Sequence, residues 1–83
     1  MPFTFYIIYS AKLDRFYTGH TENIDVRLQQ HNDGISDFTS VANDWKLVYS
    51  ESYNTRDEAR KRETEVKKKK SRKYIEWLIS SDG

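Results

Sequence analysis

The stretch Phe16-Tyr17-Thr18-Gly19-His20-Thr21, followed by Glu22-Asn23-Ile24-Asp25-Val26-Arg27-Leu28-Gln29-Gln30-His31-Asn32, decides how the chain is read. Its first part reads as the end of a β-strand and a glycine-containing turn. Its second part reads as a short helix that Thr21 or Asn23 can cap and Gly34 can end. At about 100° per residue, Ile24, Arg27, Leu28 and His31 fall on one helical face. An arginine and a histidine therefore share the apolar side, and arginine is rarely buried without a partner. Either a carboxylate meets Arg27, or its stem packs on the sheet while its head reaches water, or the place is kept for an anion that arrives later.

Outward from this stretch, Phe3-Thr4-Phe5-Tyr6-Ile7-Ile8-Tyr9-Ser10 is rich in aromatic and β-branched residues and reads as a strand covered on both faces for part of its length. Residues 11–15 form a connection of hairpin length. Phe16-Tyr17-Thr18 then returns, which sets Tyr6 and Tyr17 on neighbouring antiparallel strands. After a helix over residues 23–33, the polar segment to Asn43 reads as a surface loop. Residues 44–53 read as a third strand, with Trp45, Leu47 and Tyr49 on one face and Val48 on the other. Thr55-Arg56-Asp57-Glu58 fits a capping box. The helix it opens is expected to reach about Lys70, and Ser71 to cap a third helix ending near Ile79. The order β-β-α-β-α-α makes this an α+β fold: a small three-stranded antiparallel sheet with flanking helices.

On the second of these helices Ala59, Arg62, Glu63 and Val66 share the inward face, whereas Glu65 points away. Glu63 so placed pairs with a buried cation such as Arg27, holds a metal, or sits at the stripe's edge in water.

Eighty-three residues are expected to form a single domain, residues 1–83, near the lower limit for a core without staples. The chain has no cysteine, so disulfides and thiolate metal sites are excluded and packing must suffice. Twelve aromatic residues can supply that core. No apolar run approaches membrane-spanning length and no secretory signal pattern opens the chain, so the expectation is a soluble cytoplasmic protein with no membrane association. The net charge of +1 hides an asymmetry: residues 56–73 carry ten Lys/Arg against four Asp/Glu, while the remainder is mildly acidic. A basic segment of this kind is either a solvated helix surface or a face that holds a polyanion.

The constellation resembles the GIY-YIG nuclease family, over nearly the whole chain and closest to its short stand-alone members. Thr4-Phe5-Tyr6 stands in the place of the first motif and keeps only its tyrosine; Tyr17-Thr18-Gly19 matches the second with threonine for isoleucine. Arg27-x-x-x-His31 on the following helix, Ala59-x-x-x-Glu63-x-x-Val66-Lys67, and then Lys73 and Leu78-Ile79 complete the likeness. The first motif's glycine is missing, which removes no reactive group. His20, just after the second motif, reads as a solvent-facing turn residue.

The resemblance implies a divalent-metal-dependent endonuclease that hydrolyses phosphodiester bonds in DNA, or RNA, of the kind used in DNA repair or recombination. It implies that Glu63 holds a single Mg²⁺ or Mn²⁺ and that Arg27 contacts the phosphate. Tyr6 is the candidate for activating water, with Tyr17 as hydrogen-bond partner or alternate base. In this reading Arg27 and the metal favour the phenolate, and His31 orients a tyrosine or shares the proton transfer. Arg60, Lys61, Lys67, Lys68, Lys69, Lys70, Arg72 and Lys73 would hold nucleic-acid backbone without reading bases. Sequence specificity, if any, would come from a protein partner or from nucleic-acid shape. The alternative is a nucleic-acid-binding module of the same fold with little or no catalysis.

Overall fold

The computed structural model describes residues 2–34 and 41–81. Two strands, β1 (Phe3–Ser10) and β2 (Arg15–Thr21), precede helix α1 (Ile24–Asn32). Strand β3 (Lys46–Tyr53) and helices α2 (Arg56–Lys69) and α3 (Arg72–Ser81) follow. The sheet order is β2-β1-β3, with β1 antiparallel to both neighbours, as the residue pattern indicates. The expected loop between α1 and β3 falls largely on residues 35–40, outside the described residues.

The central position of β1 explains its unbroken apolar run. Phe5 and Ile7 pack with Val66 of α2 and Leu78 of α3, whereas Tyr6 and Ile8 point the other way and pack with Ala42 and Trp45, against Ile24 and Leu28. The sheet thus separates α1 from the pair α2 and α3. Thr4, which stands where the first motif has glycine, pairs with Thr21 on one side and Ser52 on the other, so the strand continues through it.

The helix ends follow their capping chemistry. Asn23 Oδ1 accepts from Val26 N at 3.2 Å and Thr55 Oγ1 from Glu58 N at 3.3 Å, each satisfying an otherwise orphaned N–H of the first turn. Gly34, at φ 79°, turns the chain out of α1. Lys70 ends α2 in the left-handed region, and Ser71 Oγ accepts from Tyr74 N at 3.2 Å to start α3.

Strand β3 departs from simple alternation. Its register against β1 shifts between Ile7 and Ile8, which pair with Tyr49 and Leu47 and leave Val48 as the extra residue of a bulge. Val48 and Tyr49 consequently both pack on the α2/α3 side, while Trp45 packs on the α1 side. The expected common face for Trp45, Leu47 and Tyr49 is thereby corrected: a bulge inverts the parity that alternation assumes. Asn32 secures the far end of the strand, donating to Trp45 O at 3.1 Å and accepting from Trp45 N at 2.7 Å.

Beneath α2 the carboxylate of Glu51 collects the hydroxyls of Tyr49 and Tyr53 and two nitrogens of Arg62, Nε at 3.0 Å and Nη2 at 3.3 Å. Burial pushes this carboxyl up, but those donors outweigh it and hold it below the usual carboxylate range. Arg62, expected on the inward face of this helix, is neutralised there by Glu51. Replacing Glu51 by Gln should destabilise the protein by about 2 kcal/mol or more, because Arg62 and both phenols lose their charged acceptor. Urea unfolding checks this; a change within about 0.5 kcal/mol, the range of an ordinary surface substitution, would show the network to be dispensable.

Candidate active site

Tyr6 on β1 lies opposite Gly19 on β2. Its hydroxyl occupies the space a side chain at residue 19 would need: a Cβ there would lie 2.6 Å from Tyr6 Oη and 2.7 Å from Cζ. Gly19 was expected in a turn, but β2 extends through it to Thr21, and the glycine serves close approach of a ring.

Helix α1 completes this face. Its turns deliver Arg27 and Leu28 half-buried and His31 fully buried, the shared side expected from their spacing. Tyr6 Oη lies 2.8 Å from His31 Nε2. The Tyr17 ring stands edge-on to the same imidazole at a centroid separation of 5.1 Å. Tyr6, Tyr17, Arg27 and His31 are therefore brought together.

Electrostatics fix the proton in this cluster. Burial raises the Tyr6 phenol from 10 to about 12, against the opposing hydrogen bond and charge of Arg27. Burial, reinforced by Arg27, lowers His31 from 6.5 to about 4. At neutral pH the pair is thus a neutral phenol beside a neutral imidazole. The Tyr6 hydroxyl and His31 Nε2 share one hydrogen bond, in which the phenol donates when Nε2 is the unprotonated ring nitrogen. Of the two cations expected to favour the phenolate, Arg27 lowers the Tyr6 phenol but is outweighed by burial, which leaves the remainder to a metal.

Glu63 comes from the opposite side of the sheet. Adjacent strand residues point to opposite faces, so His20 turns toward α2, where its Nδ1 donates to Glu63 Oε1 at 2.7 Å. Lys67 Nζ donates to Glu63 Oε2 at 2.6 Å. The reading of His20 as a solvent-facing turn residue is overturned: it is a half-buried strand residue bonded to the candidate metal carboxylate. Its alternation with Phe16 and Thr18 on the inward side was the available signal.

The two faces meet at the free edge of β2. Lys67 Nζ, bound to Glu63, also lies 5.9 Å from the centroid of the Tyr17 ring, and the Glu63 charge is felt at the Tyr6 hydroxyl. Glu63, 17% exposed, is neither buried away nor turned into bulk solvent. A groove of about 520 Å³ continues from this edge, lined by Arg15, Phe16, Tyr17, Lys67, Lys70 and Arg72 among others.

Of the three partners considered for Arg27, a carboxylate is missing among the described residues. Its Nη1 donates instead to Gln30 Oε1 at 3.0 Å, and every ion pair among the described residues involves other side chains. The basic residues divide. Arg60 approaches Asp57 at 3.7 Å, Lys67 holds Glu63, and Arg72 pairs with Asp14 at 2.6 Å and Glu76 at 3.6 Å. Lys61, Lys68, Lys69, Lys70 and Lys73 are exposed and form no ion pair among the described residues.

The depressed His31 value makes a stability prediction. The unfolded chain protonates His31 near 6.5 and the folded protein only near 4, so between these values the unfolded state binds more protons. Stability should fall as pH drops through that window, and less steeply in His31→Gln. Urea midpoints at stepped pH measure this; identical slopes in the two proteins would contradict a buried neutral imidazole.

Comparison with known proteins matches residues 2–75 to the GIY-YIG catalytic domain. A UPF0213 protein of Staphylococcus epidermidis is 40% identical over 52 residues, covering 61% of this chain and 63% of that protein. One from Staphylococcus aureus is 42% identical over the same shares. The match thus spans less than two thirds of these relatives' own length. The solution structure of a UPF0213 protein from Bacillus halodurans is 31% identical with a TM-score of 0.62, covering 100% of this chain and 87% of that one. With the tyrosines, Arg27, His31 and Glu63 each on the expected element, the chain belongs to the GIY-YIG family, a family of nucleases.

Proposed function

We propose that this single-domain chain is a divalent-metal-dependent endonuclease, structure-directed or weakly specific, that hydrolyses phosphodiester bonds in DNA, with RNA as a second substrate class. The observation that carries the reading is Arg27: a half-buried guanidinium beside two tyrosines and a histidine, with no carboxylate partner among the described residues. A phosphodiester supplies the missing anion, and the planar fork of donors suits it.

The donor chemistry around Glu63 fits a hard cation. No group of three His, Cys, Asp or Glu among the described residues could hold a metal alone. One carboxylate suffices for Mg²⁺ or Mn²⁺, which retain waters and share ligands with substrate phosphate. When bound, such an ion supplies neutralisation of charge on the phosphoryl oxygens. His20 orients the Glu63 carboxylate through Oε1.

The remaining chemistry belongs to the chain's own side chains. Arg27 binds and orients the phosphate. Tyr6, kept protonated by burial, serves as a relay: it passes its hydrogen to His31 Nε2 as it takes one from the attacking water. Tyr17 packs against the imidazole and keeps it aimed at Tyr6. The exposed lysines of α2 and α3 hold backbone phosphate, and the affinity they provide falls with salt.

Incubation with plasmid, single-stranded and branched DNA and with RNA, in Mg²⁺ or Mn²⁺, tests the reading beside Glu63→Gln. Cleavage should fall by about a hundredfold or more in the variant. Undiminished cleavage by the variant would remove the metal role from Glu63. Binding of every substrate without cleavage would assign the chain as a nucleic-acid-binding module.

A further inference from the structure

Tryptophan carries the largest apolar surface of any side chain and is usually well covered. Trp45 obeys this at 5% exposure, but Trp77 on α3 is 60% exposed. Packing within the fold does not account for that position. Its ring is nevertheless ordered by a neighbour: it stacks on Tyr74 at a centroid separation of 5.9 Å and an interplanar angle of 27°.

Tyr74 is itself fixed from two directions. Arg62 Nη1 donates to its hydroxyl at 3.3 Å, and Lys69 Nζ lies 5.5 Å from its ring centroid. The result is a short column of ammonium, phenol ring and indole. Lys73 precedes Trp77 by one helical turn, so it projects from the same side of α3. The acids of these turns are engaged elsewhere, Glu65 with Arg62 and Glu76 with Arg72. Lys69 at the Tyr74 ring and Lys73 one turn away thus flank the indole, whose outer area is open.

An open aromatic face flanked by two lysines is complementary to a nucleobase whose sugar carries phosphates, since every base has a π-face and the cations meet the backbone. Duplex DNA keeps its bases stacked inward and cannot use such a face. We propose that Trp77, supported by Tyr74, is a stacking platform for an unpaired nucleobase, which makes single-stranded segments part of the substrate class. The proposal rests on the nuclease reading for its context. Arg62 and Tyr74 lie toward β3 and Glu63 toward β2. A strand stacked on Trp77 would cross the lysine turn between α2 and α3 to reach the edge of β2.

Intrinsic fluorescence of the full chain, without divalent cation so that nothing is cut, tests the platform with oligothymidylate and a duplex of equal length. Trp45 is shielded, so Trp77 supplies the responsive signal. Oligothymidylate should quench the emission. Trp77→Ala should weaken oligothymidylate binding about tenfold, with duplex affinity and salt slope unchanged because no phosphate contact is lost. Trp77→Phe should retain most of the affinity and lose the quenching. Absence of oligothymidylate binding, unchanged emission at saturation, or equal weakening toward duplex would overturn the proposal. Sedimentation showing self-association that Trp77→Ala abolishes would assign the indole to a second copy instead. The Glu63→Gln cleavage assay is independent of all these outcomes, so failure of the nuclease reading and failure of the platform are distinguishable.

Discussion

The free edge of β2 is the constraint on which the candidate site depends. A strand presents successive residues to opposite faces, so Gly19 and His20, adjacent in sequence, open onto different sides of the sheet. In the interior of a sheet those sides do not communicate. At an edge they do, and here Lys67 joins them, holding Glu63 while lying over Tyr17. In the proposed reaction the phenols, guanidinium and imidazole of one face thereby address the same ester as the carboxylate of the other. Gly19 is the hinge of this arrangement, because only a residue without Cβ leaves room for the Tyr6 hydroxyl at the edge.

The fates of three arginines separate structure from function. Arg62 and Arg72 find carboxylates, Glu51 and Asp14, and tie β3 to α2 and the first hairpin to α3. Arg27 instead donates to an amide, that of Gln30, and lies near the Tyr6 phenol. A half-buried guanidinium without a countercharge is a ready place for an anion, and in the proposed reaction the phosphate fills it. Burial, reinforced by the same positive charge, holds His31 neutral, and in the proposed reaction its Nε2 receives the proton of Tyr6.

Much of this was legible in the residues. The central strand announced itself by the double-sided run from Phe5 to Ile8, and the helices by Thr21 or Asn23, Thr55 and Ser71 at their starts, the structure choosing Asn23 for the first. Helical spacing alone placed Arg27 and His31 on one face. What escaped was set by pairing between distant segments. The bulge at Val48 depends on register against β1, which no local pattern encodes, and it moved Tyr49 away from Trp45. The role of His20 depends on which helix covers its face, and that of Arg62 on a carboxylate eleven residues away on β3. Beside Tyr6 the cation Arg27 is visible in sequence, whereas the depth of burial that opposes it is not.

The proposed reaction requires the two sheet faces to meet around one ester and one cation. Paramagnetic broadening by Mn²⁺, added to isotope-labelled protein with a short phosphodiester present, reads this directly through side-chain NMR signals. Broadening centred together on Glu63, His20, Tyr6, Tyr17 and Arg27 is the expected result. Broadening that reaches Glu63 and His20 while the rings of Tyr6 and Tyr17 stay sharp would place the cation away from the phenols and contradict a shared site.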